Sequence, residues 1–108
     1  MQNKHTDNPR INRVVNLIPD AGSITRAELV HQTGFSDRWV RSYIQQARQN
    51  GEVIIATSDR KGYRRPQSAE DLKHYIAEGN SRIRRISESL QGAYIKLEEM
   101  YKQEATQL

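Results

Sequence analysis

The sequence predicts a mainly α-helical fold with one small β-hairpin and a long C-terminal helix. Three observations carry this. Apolar residues recur at helical spacing in three short segments between residues 9 and 49. A β-prone stretch with turn chemistry fills residues 52–66. An unbroken apolar heptad then runs from Leu72 to Met100. The expected organisation is a disordered polar tail over residues 1–7, a globular domain over 8–66, and a helix for docking and oligomerisation over 67–108.

Asn8-Pro9 opens the first helix: Asn caps it, and Pro suits the first helical position because it has no N–H to leave unpaired. Ile11, Val14, Val15 and Ile18 follow at i, i+3, i+4 and i+7, which makes one apolar face. Pro19-Asp20-Ala21-Gly22 stops it, and Ile24 between turns suits a very short strand. Thr25 and Glu28 have the spacing of a capping box, in which each side chain satisfies the other's orphan amide. The helix they open buries Ala27, Leu29 and Val30 and ends at Gly34, a natural left-handed cap. Ser36 caps a third helix, with Val40, Tyr43, Ile44 and Ala47 inward and Asn50-Gly51 closing it.

The period then changes. Glu52–Thr57 reads as a strand, Ser58–Gly62 as a turn, and Tyr63–Arg65 as the returning strand, ended by Pro66. Ser68 caps the last helix. Its apolar residues advance in steps of four and three, with Ile76, Ile83, Leu90 and Leu97 at a positions. Glycine inside a helix costs about 1 kcal/mol relative to alanine, so Gly79-Asn80-Ser81 is the weak point. The preserved phase favours a continuous helix over a break there. Leu72, Tyr75 and Ile76 are expected to dock on the domain. Ile83, Ile86, Leu90, Ala93, Leu97 and Met100 are expected to oligomerise, a dimer being favoured.

Composition narrows the function. The 108 residues are 35% hydrophobic, with one Phe and one Trp, enough for a single modest core. Absence of cysteine removes disulfides and thiolate zinc sites. No apolar run approaches the roughly 20 residues of a membrane span, so the expected location is cytoplasmic. Residues 1–66 carry 11 Lys/Arg against 6 Asp/Glu, whereas 67–108 carry 6 against 7. A one-sided basic domain suits a polyanion. There is no glycine-rich phosphate loop and no nucleophile–base pair at suggestive spacing, which argues against an enzyme. His5, His31 and His74 are scattered, and no metal, cofactor or small-molecule ligand is expected.

Two helices joined through Gly34-Phe35-Ser36, followed by a hairpin, have the order of a winged helix-turn-helix. Ile24-Thr25, Glu28-Leu29, Thr33-Gly34-Phe35-Ser36, Val40-Arg41, Ile44, Gly51 and Gly62-Tyr63 carry a resemblance. The stretch from Arg13 to Tyr63 resembles the winged-helix domains of the biotin-repressor and DeoR type. It departs at Val30, where a small alanine is usual, at Arg64-Arg65-Pro66, where an apolar strand residue is usual, and in lacking the family's ligand-sensing or catalytic domain. A hairpin running into Ser68-Ala69-Glu70-Asp71-Leu72 is also similar to small winged-helix proteins of phage and prophage modules.

At 100° per residue, the side of the third helix opposite its apolar stripe presents Arg38, Ser42, Gln45 and Gln49, flanked by Arg41, with no carboxylate. Arg can bridge guanine O6 and N7, and Gln can bridge adenine N6 and N7. Arg60, Lys61, Arg64 and Arg65 are expected to make a positive wing against backbone or minor groove, while Ser36 adds helix-terminal amides suited to phosphate. Trp39 is expected under the wing or against the first helix, with Tyr43 in the core. The expectation is a sequence-specific double-stranded DNA-binding protein, either a transcription regulator or a phage regulatory or replication accessory factor. One such module covers only about 600–1,000 Å² of protein surface, which is why a dimer through the coiled-coil-like tail is expected. The competing expectation is a protein-interaction adaptor. RNA has less support, because no aromatic stacking platform is visible.

Overall fold

The computed structural model describes residues 8–107, so the expected disorder of residues 1–7 lies outside the described residues. Helix α1, Pro9–Asn16, starts where expected: Asn8 Oδ1 accepts the Arg10 N–H at 2.9 Å and Pro9 occupies the first turn. Strand β1, Ser23–Thr25, follows Gly22, whose φ of +81° is the left-handed turn that glycine permits. Helix α2, Arg26–Thr33, is capped by Thr25 Oγ1, which accepts the Glu28 N–H at 3.0 Å. The reciprocal half of the capping box is not seen. Glu28 instead accepts from Gln32 Nε2 at 3.1 Å, an i,i+4 bond along the helix.

Gly34 ends α2 at φ +77°, and two residues later Ser36 caps helix α3, Asp37–Gln49, its Oγ accepting the Trp39 N–H at 3.2 Å. Inside the turn, Thr33 is buried. Its hydroxyl donates to the Leu29 carbonyl at 2.6 Å and accepts from the Phe35 N–H at 3.1 Å, so the corner keeps no unmet polar group.

Strands β2, Ile55–Ala56, and β3, Gly62–Arg64, complete a three-stranded antiparallel sheet in the order β1-β3-β2. Tyr63 lies opposite Ile24 on one side and Ala56 on the other. The first hairpin strand is shorter than the expected Glu52–Thr57, for two local reasons. The Glu52 N–H returns to the Ala47 carbonyl at 3.0 Å to close α3, and Arg48 Nε takes the Ile54 carbonyl at 2.9 Å. Backbone groups that a longer ladder would use are thus already committed. The returning strand lies one residue earlier than expected. At Gly62 the chains are so close that a Cβ would stand 2.3 Å from the Ile24 carbonyl oxygen.

The core gathers Ile11, Val14, Val15 and Ile18 around α1, Leu29 of α2, Val40, Tyr43, Ile44 and Ala47 of α3, and Ile54 and Tyr63 from the hairpin. Ala27 is exposed rather than inward, and Val30 is half-buried at the core's edge. Glu52 is buried with Arg65, Nη1 to Oε2 at 2.9 Å, and Arg65 Nη2 also donates to the Val15 carbonyl at 3.2 Å. One guanidinium therefore joins the segment after α3 to the end of α1.

Helix α4, Ala69–Thr106, is continuous through Gly79, as the heptad phase favours. Ser68 Oγ accepts the Asp71 N–H at 3.1 Å at its start. Among the described residues no α4 side chain is buried, and Leu72, Tyr75 and Ile76 are not members of the core. The chain divides into two compact units, residues 1–71 and 72–108.

Candidate nucleic-acid interface

The outward side of α3 follows from its inward one. Val40, Tyr43, Ile44 and Ala47 are buried, so residues half a turn away face solvent. Arg38, Gln45 and Gln49 are exposed along that line, and Ser42 is half-buried, accepting from Gln46 Nε2 at 3.1 Å. The row offers one guanidinium and two carboxamides to a partner's hydrogen-bonding edge.

Arg41 departs from the sequence expectation. Its Nε pairs with Asp37 Oδ2 at 3.0 Å, one turn earlier on α3. The helix face is carboxylate-free only from Arg38 onward, because Asp37 stands at its N-terminal edge. Asp37 is well placed for the helix dipole, and it also bonds beyond its own helix.

Its other oxygen accepts from Arg26 Nε at 2.9 Å, while Arg26 Nη1 donates to the Arg60 carbonyl at 2.7 Å. The Arg26 N–H also donates to the Lys61 carbonyl at 2.8 Å. Arg26 thus fastens the β2–β3 turn to the beginning of α2 and of α3. The Asp37 hydrogen bond raises the Arg26 pKa, outweighing a small desolvation in the opposite direction. Sequence reasoning missed this node. Arg26 and Asp37 are 11 residues apart and Arg26 and Arg60 are 34 apart, so no local spacing announces the contact.

The turn itself is built by Thr57 and Asp59. Asp59 Oδ1 accepts from Thr57 Oγ1 at 2.6 Å and from the Lys61 N–H at 2.9 Å. These bonds, the Thr57 hydroxyl foremost, hold the Asp59 carboxyl below its usual range. Arg60 takes a left-handed φ of +61° at the tip. Arg60 and Lys61 are exposed and form no salt bridge among the described residues.

Arg64 and Arg65 do not share that tip, contrary to the expected four-residue cluster. Arg64 makes a two-pronged pair with Asp71, at 2.6 and 2.8 Å, which raises the Arg64 pKa, and Arg65 is committed to Glu52. Both charges are consumed inside the fold. Ser36 is likewise occupied as the α3 cap.

Trp39 is not packed away as expected. It is 55% exposed and stacks on Tyr43 with ring centroids 5.6 Å apart. Tyr43 in turn meets the Phe35 edge at 5.3 Å, and Arg13 lies over Phe35. An open indole therefore borders the polar row of α3.

Among the described residues, no three His, Asp or Glu side chains cluster as metal ligands, and no helix is long and apolar enough to cross a membrane. Compared with protein-family models, with curated proteins and with solved structures, the chain shows no significant match to any.

Proposed function

We propose that the chain is a sequence-specific duplex DNA-binding protein of winged helix-turn-helix form, acting as a regulator or replication accessory factor. In this reading α3 enters the major groove and the β2–β3 turn lies on the backbone or in the minor groove. One observation carries it. The exposed row Arg38, Gln45 and Gln49 shares a scaffold with the exposed cations Arg60 and Lys61, because Arg26 ties that turn to the start of α3. Base-edge donors and phosphate-seeking charge are thus held in fixed relation, which separates specification from positioning. Self-association through the exposed apolar face of α4 would carry two such modules on one assembly.

The test is selection of bound duplexes from a random-sequence pool. A consensus should emerge. Arg38→Ala or Gln45→Ala should relax one position of it by about 1–3 kcal/mol, the value of a two-pronged base contact. A pool that stays random would overturn the reading. Arg41→Ala should matter less than either, since Arg41 is held by Asp37.

The exposed Trp39–Tyr43 stack favours a second reading, in which α3 docks an apolar protein partner. Binding of that kind is insensitive to salt and is lost in Trp39→Ala.

A further inference from the structure

We propose that α4 pairs with the α4 of a second copy of this chain in antiparallel orientation, a refinement that rests on the self-association proposed above. The apolar seam is exposed in the single chain: Ile83 is 66% exposed, Ile86 60% and Leu90 47%. Seams of this kind are covered by a helix of matching period. Charge and layer packing then choose the occupant and its direction.

Residues 72–87 carry Lys73, Arg82, Arg84 and Arg85 against Glu78. Residues 88–108 carry Glu88, Glu98, Glu99 and Glu104 against Lys96 and Lys102. From Leu72 onward the helix is therefore basic over its first part and acidic over its second; Glu70 and Asp71 precede this stretch, and Asp71 is paired with Arg64. Arg82, Arg84 and Arg85 form no salt bridge among the described residues, so this charge is not cancelled within the helix. A parallel pair sets the basic halves together and the acidic halves together. An antiparallel pair sets each against its complement, which favours one orientation over the other even where single exposed pairs contribute little.

Packing points the same way. In antiparallel pairs, a and d positions of opposite chains share a layer. The register centred between Gln91 and Gly92 makes the layers Ile83 with Met100, Ile86 with Leu97, and Leu90 with Ala93, each occurring twice. Leu90 fills the space that Ala93 leaves. The same register brings the outer residues Arg84 and Arg85 level with Glu99 and Glu98, where they add to the attraction between unlike halves without contacting across the seam. A parallel pair would instead stack Ala93 on Ala93, leaving a hollow layer in the middle of the seam. At 1.5 Å per residue, the antiparallel register places the two copies of Leu72 about 58 Å apart, at opposite ends of the pair.

The absence of cysteine makes the orientation directly measurable. Sedimentation equilibrium of the full chain should give a dimer; a monomer at tens of micromolar would overturn self-association itself. Ile83→Cys and Met100→Cys chains, one of them tagged, are then mixed and equilibrated in a glutathione redox buffer. The mixed disulfide should exceed both like-with-like disulfides by more than about tenfold. Dominance of the like-with-like species would overturn the antiparallel orientation while leaving the dimer standing. In a variant that keeps the seam intact, Arg84→Glu with Arg85→Glu should raise the dimer dissociation constant several-fold at low ionic strength, where charges on the outer faces are least screened. Adding Glu98→Arg and Glu99→Arg to the same chain should restore it. A dissociation constant unmoved by the first pair of substitutions would also overturn the proposal.

Discussion

Replacing Glu52 by Gln removes a charge that the fold has buried for Arg65. The Glu52 side chain is 6% exposed and the Arg65 side chain 18%, with 2.9 Å between Nη1 and Oε2. Removing one member of a fully buried pair costs about 3–5 kcal/mol, because the survivor stays desolvated. Arg65 retains some water access and the Val15 carbonyl, so Glu52→Gln should cost about 2–3 kcal/mol. For a domain of this size each kcal/mol moves the melting temperature by about 4–8 °C, so a fall of roughly 10–20 °C is expected. Arg65→Met strands the more deeply buried carboxylate and should cost about 3–5 kcal/mol. The double variant should lose much less than the two losses added together, with a coupling of about 2 kcal/mol. Thermal and urea unfolding of the four proteins measures this. Additive losses would refute the pairing argument. A salt dependence of DNA binding that is flatter in the double variant would return Arg65 to the interface.

Gly62→Ala should destabilise by about 2–3 kcal/mol, since its Cβ would meet backbone atoms of Ile24 and Thr25 rather than a yielding side chain. Gly79→Ala, in open space on α4, should instead stabilise by about 0.5–1 kcal/mol; similar effects from both would remove the close-approach argument. Asp59 has a folded-state pKa below its ordinary 3.8. Its contribution to the turn is therefore complete above pH 3.8 and lost as the pH falls through the lower folded value. The Lys61 amide resonance should report that titration by NMR, and an Asp59 pKa at or above 3.8 would refute it. Replacing Arg60 and Lys61 by Ala should weaken binding to every duplex alike and flatten the plot of log K against log salt by up to about two units. An unchanged slope would take the turn out of the interface.

Much of the local structure was legible because its causes are local. Asn8, Thr25, Ser36 and Ser68 cap helices through side chains that bond two or three residues away. Gly34 and Gly51 stand at left-handed turns, and Ile24 does form a short strand. The heptad phase correctly carried α4 through Gly79. What sequence could not show is how charges are spent. Arg64 and Arg65 look like the exposed cations Arg60 and Lys61 until folding places Asp71 and Glu52 beside them. Asp37 and Arg26 were passed over for the same reason, since their joint contact with the turn exists only in three dimensions. The strand over Glu52–Thr57 was overestimated because β-propensity says nothing of Arg48, whose side chain takes the Ile54 carbonyl. Trp39 could be placed on the flank of α3 by its angle, but not covered or uncovered.

In the proposed function, the face of α3 and the adjoining turn meet duplex DNA. Fluorescence anisotropy of a labelled mixed-sequence duplex, titrated with the full chain at several salt concentrations, tests it most directly. Binding is expected at low salt, with log K falling linearly and steeply with log salt as phosphate contacts release counterions. Absence of binding even at low salt would contradict it and would leave α3, with Trp39 on its flank, as a surface for docking protein.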